Sequence, residues 1–409
     1  MILGLIADDF TGASDVASSL AEAGVSTSLY NGIPTEVDVC CQAAVIALKT
    51  RTCPVELAVS QTLAALKTLQ EGGAERFYLK YCSTFDSTPK GNIGPAIDAV
   101  MKALHTAVTV LDPALPVNGR ILKNGILYVN GVPLAESPMQ YHPLTPMWDS
   151  SIEKLMQDQG EGQTIVVPLM VLEDEKAVAG LLQQKPQATK SVYFVPDHWR
   201  EEHADLIIRR FGKLPLLTGG SALAGAWGRC YAKGCKLPPA ATNGSGILLA
   251  GSCSEATRSQ IDFWRAQGFC TVHLDPWHLA ENQQAEETRV LQFLQRGDCL
   301  IYTSGTPNEV HKLQEKYPQI YQTIEEAFAH LAVAAVNFGI KRLIVAGGET
   351  SGAVVQALGY SDFTLSASVS PGVPVLIPRE APSIRLVLKS GNFGDKDFFV
   401  KAWERTNAI

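Results

Sequence analysis

The chain has 409 residues, 46% of them hydrophobic and 18% charged, with a formal net charge of −7. That balance describes a folded chain too long for one ordinary core, with no basic footprint for nucleic acid. No apolar run approaches the ~18 residues of a membrane span, no basic segment precedes the short apolar start, and nine cysteines without CxxC spacing read as reduced thiols of a cytoplasmic protein.

The first predicted element is the apolar run 2–7 of "MILGLIADDFTGASDVASSLAEAG", followed by an Ala/Leu-rich helix over 13–23. Asp8, Asp9, Thr11 and Gly12 fall between them, at the carboxyl end of a strand, where open parallel sheets bind their ligands. Side chains alternate along a strand, so the two carboxylates are expected to face different ways. One would meet a ligand while the other ties down a neighbouring loop or caps the helix. A cap alone accounts for Asp9 or Thr11, but two carboxylates plus Thr-Gly exceed what a cap requires.

Further strands are predicted at 27–30, 43–48, 77–81, 108–111, 164–167 and 192–195, with helices over 55–70, 94–104 and 199–211. This rhythm implies an α/β fold with a mostly parallel sheet flanked by helices. Polar clusters stand at the strand ends. "LKTRT" brings Lys49 and Arg51, the latter a fork able to hold a carboxylate. "YLKYCSTFDSTPKGNIG" gathers Lys80, Ser83, Thr84, Asp86, Ser87, Thr88 and Lys90. Lysines for charge, with hydroxyls and Asp86 for substrate OH groups, suit a small polyhydroxylated anion. "PALPVNGR" adds Asn118 and Arg120. Solvated surface charge is the plainer account of Lys49, Lys90 and Arg120, whereas Arg51 and Lys80 directly follow buried strands. "ILYVNGVPL" interrupts the rhythm with the hairpin signal Asn130-Gly131.

"LLTGGSALAGAWGRC" is again strand, glycine turn and small-residue helix. After it "AKGCKLPPAATNGSG" has no periodicity and reads as a linker near 232–245, dividing the chain into domains 1–235 and 246–409. The second domain restarts the pattern, with strands predicted at 247–250, 271–274, 300–303, 342–345, 364–366 and 385–388 and helices over 255–267, 281–295, 324–338 and 350–358.

Three turns of this domain carry glycine or serine after a strand. "AGSCS" offers Ser252 and Ser254; "AGGETSGAVV" offers Gly347, Gly348, Glu349 and Thr350; "LKSGNFG" offers Gly391 and Gly394. Glycine at such turns often serves the backbone alone. Three in one domain suggest a cradle of N–H groups for the phosphates of a nucleotide. There is no GxxxxGK[ST] and no GxGxxG after a strand, so neither a P-loop nor the usual dinucleotide fold is indicated. Glu349 would repel phosphate unless it faces Mg²⁺ brought by the nucleotide; a capping role at the helix start is the alternative. No histidine or cysteine spacing matches a metal site made by protein alone.

"IADDFTGASD", "KYCSTFDSTPKGNIGPA", "PALPVNGR", "TGGSALA", "GSCS", "AGGETSGAVVQALG" and "LKSGNFG", in this order, resemble the four-carbon acid sugar kinase family nearly end to end. The resemblance is nearest to the branch that acts on 3-oxo-tetronate (3-dehydrotetronate). It implies ATP-dependent phosphorylation of the 4-hydroxyl of a four-carbon acid sugar. The N-terminal domain would hold the sugar acid and the C-terminal domain ATP with Mg²⁺, the active site lying in the cleft between them. By the same resemblance ATP contacts fall on Ser252 or Ser254, Gly347, Gly348, Glu349, Thr350 and Gly391, and the substrate lies at Asp8, Asp9, Thr11 and Gly12. One aspartate then accepts the hydroxyl proton, and Asp9, nearer the turn, is favoured. The expected partners are the sugar acid and ATP, with no nucleic acid and no membrane, and a homodimer is left open.

Three other functions compete. A D-threonate or D-erythronate kinase of the same family differs only in substrate. A haloacid-dehalogenase-like phosphatase needs Asp-x-Asp where this chain has Asp-Asp. A non-catalytic sugar-acid sensor would ordinarily carry an export signal or a DNA-binding module.

Overall fold

The computed structural model describes residues 1–141, 145–183, 191–294, 298–303, 305 and 307–408. The chain divides into two compact units, Met1–Lys236 and Leu237–Ile409.

Unit 1 opens with β1 (Leu3–Ala7), α1 (Phe10–Glu22), β2 (Thr27–Asn31) and β3 (Ala43–Ala47). Next come α2 (Val55–Glu71), β4 (Arg76–Lys80), α3 (Ile93–Ala103) and β5 (Val108–Asp112). A three-stranded antiparallel ribbon comes after β5: β6 (Arg120–Lys123), β7 (Ile126–Val129) and β8 (Val132–Pro133). Its second turn has positive φ at both Asn130 (52°) and Gly131 (83°), the backbone that the Asn-Gly pair favours. The unit is completed by α4 (Ile152–Gln157), β9 (Gln163–Val167), α5 (Leu169–Glu173), α6 (Glu175–Gln183), β10 (Val192–Pro196), α7 (Glu201–Phe211), β11 (Leu216–Gly219) and α8 (Ser221–Arg229).

The main sheet of unit 1 runs β2-β3-β1-β4-β11-β5-β10-β9, with every neighbouring pair parallel. β1 and β3 are buried along their whole length, which is why they read as unbroken apolar runs rather than alternating ones. Ile6 packs with Leu66, Leu69, Ile93 and Ile97 in a core under α2 and α3. The predicted strands and long helices of this unit are all present, with ends displaced by up to three residues. The short helices α4, α5 and α6 had no periodicity long enough to announce them.

Unit 2 begins with β12 (Gly246–Ala250), α9 (Glu255–Ala266), β13 (Cys270–His273), α10 (Pro276–Leu294) and β14 (Cys299–Tyr302). It continues through α11 (Pro307–Lys316), α12 (Ile320–Asn337), β15 (Arg342–Ala346) and α13 (Gly348–Leu358). It ends with β16 (Asp362–Ser370), β17 (Val373–Pro378), β18 (Arg385–Lys389) and α14 (Phe398–Thr406). The strand order is β13-β14-β12-β15-β18-β17-β16, parallel as far as β18 and antiparallel across β17. Leu248, Trp264, Ile344, Val387, Phe398 and Phe399 form its core.

Four elements depart from expectation: α11 and α14, for which no helix was predicted, together with β17 and α10. β17 was not predicted, because "SVSPGVPVLIP" is broken by Pro and Gly; the chain turns there at Gly372 (φ 76°), and the β16–β17 ladder shifts register. The helix expected over 281–295 is the second part of α10, which breaks at Asn282 (φ −156°, ψ 85°). Asn282 Oδ1 accepts the Ala285 N–H at 3.1 Å and so caps that second part. Residue 295 lies outside the described residues. Among the described residues no helix is long and apolar enough to cross a membrane.

Candidate functional site

Unit 1 gathers charge at the carboxyl ends of β1, β3 and β4. Asp9 is the N-cap of α1: its backbone is extended (φ −147°, ψ 165°), and Oδ1 accepts the Gly12 N–H at 2.7 Å. The helix therefore starts at Phe10, three residues before the expected 13, and Thr11 and Gly12 lie in its first turn rather than in a preceding loop. Asp8 reaches the loop after β3, where Arg51 Nε and Nη2 donate to its two oxygens at 2.9 and 2.8 Å. Arg51 Nη1 lies 3.0 Å from Asp9 Oδ2.

Two expectations change. The fork offered to a substrate carboxylate is filled by Asp8, and the two carboxylates converge on one guanidinium instead of facing apart. The reason is tertiary. The loop after β3 crosses the end of β1, with the Leu48 N–H donating to Ala7 O at 2.9 Å and the Thr50 N–H to Asp8 O at 3.0 Å. Asn92, for which the sequence raised no expectation, holds that loop: its Nδ2 donates to the carbonyls of Thr50 at 2.7 Å and Cys53 at 2.8 Å. Burial raises the Asp8 carboxyl above its ordinary value even against the Arg51 charge. Arg51, which burial alone would lower, is held well above its ordinary value by Asp8 and Asp9. The Asp9 side chain is 32% exposed and that of Asp8 16%, so Asp9 is the more accessible of the two.

Lys80 ends β4 and is buried; Nζ donates to the Tyr81 carbonyl at 2.9 Å and lies 3.7 Å from Asp15 Oδ2. Asp15, likewise unexpected from the sequence, is buried on α1, and burial raises its carboxyl. Past Lys80 the chain turns through Phe85 (φ 50°), whose ring packs edge-on against Tyr81 at 5.4 Å. Thr84 Oγ1 donates to the buried Asp86 Oδ1 at 2.5 Å, and Ser83 is half-buried on the same turn. Ser87 donates to Gln159 Oε1 at 2.9 Å, a bond that ties this loop to the end of α4. Lys49 and Lys90 are exposed, whereas Arg120 is half-buried at the start of β6. Burial lowers Arg120 below its ordinary value, and Cys82 and Asp86 pull it back, so the guanidinium lies near the 82–86 turn. It donates to the Asn118 carbonyl through Nη1, and its buried Nε has no partner among the described residues. A pocket lined by Asp8, Thr50, Arg51, Lys80 and Asn92 opens between these strand ends and α2 and α3.

A second buried group stands at the ends of β5 and β10. His198 Nδ1 lies 2.8 Å from Asp112 Oδ2, and neither side chain is exposed. The backbone of His198 exchanges two hydrogen bonds of 2.8 Å with Leu122, which fastens the ribbon to the sheet. The sequence held no signal for this pair, whose members are 86 residues apart.

In unit 2 the strands β12, β15 and β18 are neighbours, and their last residues Ala250, Ala346 and Lys389 stand in register. The turns after them therefore meet. The N–H groups of Gly251 and Ser252 donate to Ala346 O at 3.1 and 3.2 Å, and the Gly347 N–H donates to Lys389 O at 2.9 Å. Ser254 caps α9: its Oγ accepts the Thr257 N–H at 3.2 Å and donates to Gly391 O at 2.6 Å. Ser252 Oγ accepts the Ser254 N–H at 3.2 Å. Gly347 has φ 127°, which favours glycine, whereas Gly391 is required by space, since a Cβ there would lie 2.4 Å from Ser252 Oγ.

α13 begins at Gly348, two residues earlier than expected, so Gly348, Glu349 and Thr350 form its first turn. Gly348 and Glu349 are exposed and Thr350 is buried. Among the described residues the N–H groups of Gly348, Glu349, Thr350, Gly391 and Asn392 have no hydrogen-bond partner. Such groups at a helix start and a tight turn fit an anion. Beneath them lies Lys389, buried, with Nζ donating to Thr257 Oγ1 at 3.1 Å and to the carbonyls of Ser390 at 3.0 Å and Gly391 at 2.9 Å. Lys389 stands within "LKSGNFG", yet only the glycines of that turn raised an expectation. Its signal was the likeness of "RLVLK" in β18 to "RFYLK" in β4, each a buried strand ending in lysine.

The described residues hold no cluster of three or more side chains able to ligate a metal, and all nine cysteines are free thiols.

Residues 3–227 match the family described as Sugar-binding N-terminal domain, and residues 247–399 that described as Nucleotide-binding C-terminal domain. The 3-oxo-tetronate kinase of Salmonella typhimurium is 41% identical over 98% of this chain and 98% of its own. That of Brucella melitensis is 40% identical over 100% of this chain and 96% of its own. A crystal structure from Salmonella typhimurium LT2 superposes with a TM-score of 0.89 at 41% identity, covering 99% of both chains. One from Haemophilus influenzae gives 0.80 at 38% identity, covering 98% of this chain and 99% of that one.

Proposed function

The chain belongs to the four-carbon acid sugar kinase family, and from that membership we propose that it transfers a phosphoryl group from ATP to the 4-hydroxyl of a four-carbon acid sugar, with 3-oxo-tetronate as substrate. Unit 1 takes the sugar acid and unit 2 the nucleotide. The observation that carries this reading is the meeting of three glycine- and serine-bearing turns at one sheet edge, where the N–H groups of Gly348, Glu349, Thr350, Gly391 and Asn392 have no partner among the described residues.

Asp9 is the base. Its side chain is the more exposed of the two; Oδ1 is engaged with the Gly12 N–H, and Oδ2, 3.0 Å from Arg51 Nη1, receives the proton of the 4-hydroxyl as the oxygen attacks. Arg51 holds Asp9 in place, and Asp8 in turn holds Arg51. Because Asp8 fills the Arg51 fork, Arg120, with its unpartnered Nε, takes the substrate carboxylate. Ser83, Asp86 and Asn118 bind hydroxyls, and the buried Lys80 lends positive charge beneath the α1 start.

The N–H groups of Gly348, Glu349, Thr350, Gly391 and Asn392, with Ser252, hold the nucleotide phosphates, and Gly347 shapes the turn before them. Mg²⁺ arriving with ATP supplies charge neutralisation between the phosphates when bound, and the exposed Glu349 carboxylate would face it. Transfer requires the hydroxyl and the phosphate to meet in line.

The test is ADP release with MgATP across a panel of four-carbon acids. Turnover fastest with 3-oxo-tetronate is expected; preference for D-threonate or D-erythronate would move the substrate within the family, and no ADP with any acid would sink the kinase reading. A phosphatase using Asp8 as nucleophile is disfavoured, since both of its oxygens are engaged by Arg51.

A further inference from the structure

Lys389 of unit 2 lies within "LKSGNFG", and the glycines of that turn do not account for its placement. It ends β18 inside the protein, and its Nζ contacts three oxygens: Thr257 Oγ1 at 3.1 Å, Ser390 O at 3.0 Å and Gly391 O at 2.9 Å. A trans peptide points its C=O and N–H in opposite directions. By drawing the carbonyls of Ser390 and Gly391 inward, Nζ turns the N–H groups of Gly391 and Asn392 outward. Neither of these two N–H groups has a partner among the described residues, and the Phe393 N–H closes the turn onto Ser390 O at 3.2 Å.

We propose that Lys389 is the positioning residue of the phosphate cradle, aiming the Gly391 and Asn392 N–H groups at the nucleotide and taking up a proton when phosphate binds. This role rests on the assignment of the nucleotide to unit 2. The site is built for both protonation states. As an ammonium, Nζ donates to all three oxygens while the Thr257 hydroxyl donates to Gly391 O, 2.9 Å away. As a neutral amine, Nζ keeps two N–H bonds to the carbonyls, and the Thr257 hydroxyl rotates to donate to its lone pair.

No described carboxylate neutralises the ammonium. Around it are Thr257 and Gln260 of α9 and the Phe398 ring of α14, 5.8 Å away. Titratable groups of the packed elements include Glu349 at the start of α13, Glu255 and Arg258 on α9, and Asp395, Lys396 and Asp397 ahead of α14, and among the described residues none of them forms an ion pair with Nζ, Asp397 being paired with Lys401. Burial pushes Lys389 down to about 7. A phosphate dianion facing the turn favours the charged form and raises that value, so a proton passes from solvent to Nζ on binding. Nucleotide affinity therefore falls as pH rises above about 7 toward the bound-state value, since less of the free protein already holds the proton.

The test is calorimetry of a non-hydrolysable ATP analogue with excess Mg²⁺ near pH 8, in buffers of different ionisation enthalpy. Wild type is expected to take up roughly half a proton or more, and K389M none, with affinity at least about tenfold weaker. Binding by wild type without proton uptake, or K389M affinity within about twofold of wild type, overturns the role of Lys389 alone. No binding by wild type overturns the nucleotide assignment and this role with it. Should K389M fail to fold by circular dichroism, the wild-type proton count decides.

Discussion

Asp8 and Asp9 share the Arg51 guanidinium, yet their other bonds divide their work. Asp8 spends both oxygens on Arg51, while Asp9 caps α1 with Oδ1 and meets Arg51 only through Oδ2, on the more exposed side chain of the two. Asp9→Asn keeps an acceptor for the Gly12 N–H, so fold and substrate affinity should survive while kcat drops roughly 10²–10⁴-fold, the range for losing a general base. Steady-state kinetics beside a melting curve check this, and near-normal turnover would reduce Asp9 to a cap. Asp8→Asn breaks the bidentate pair and should raise KM or lower Tm before it lowers kcat. The reverse pattern would exchange the two roles. The carboxylates were legible in the sequence as an oddity at a strand end. Their shared partner was not, because Arg51 is 43 residues from Asp8 and reaches the pair only where the loop after β3 crosses β1.

At the scale of elements, the nucleotide edge depends on three turns that are distant in sequence and meet only because β12, β15 and β18 are adjacent in register. Gly391 and Gly347 are needed for different reasons, which predicts different failures. Gly391→Ala puts a Cβ 2.4 Å from Ser252 Oγ, and the displaced turn should weaken nucleotide binding by about tenfold or more with little change in KM for the sugar acid. Gly347→Val must adopt φ 127° and should cost stability as well, by about 1–3 kcal/mol. Gly352 on α13 is the control: a Cβ there meets nothing within 4 Å, so Gly352→Ala should leave binding unchanged and raise stability by about 0.5–1 kcal/mol. Titrations with an ATP analogue and thermal melts separate these outcomes; equal affinity in all three variants would place the cradle elsewhere.

For the whole molecule, the division into Met1–Lys236 and Leu237–Ile409 has a practical consequence. Lys233 and Lys236 lie in an exposed stretch without regular structure between α8 and β12. Brief trypsin treatment should therefore cut there first and leave two resistant fragments, read by mass spectrometry, because exposed irregular backbone opens at little cost. First cuts inside either sheet would count against two separately packed units. The Asp112–His198 pair belongs to this scale too, since it joins the ends of β5 and β10 at the residue whose backbone bonds to Leu122 fasten the ribbon inserted between β5 and α4.

Local chemistry was enough to read most strands and helices, the Asn130-Gly131 hairpin and the strand-end turns that carry the candidate residues. Periodicity, glycine and capping residues act within a few positions, and they remain visible in a linear chain. The order of the strands, the insertion of β11 between β4 and β5, and the antiparallel β17 were decided by tertiary packing. So were the partners of the charged groups: Arg51 turned onto Asp8, Asn92 onto the loop after β3, and Lys389 onto the turn it supports. A side chain's residue type states what bonds it can make, but which bond it makes depends on what the fold brings within about 3 Å, and that is a property of the sheet edge rather than of the sequence around it.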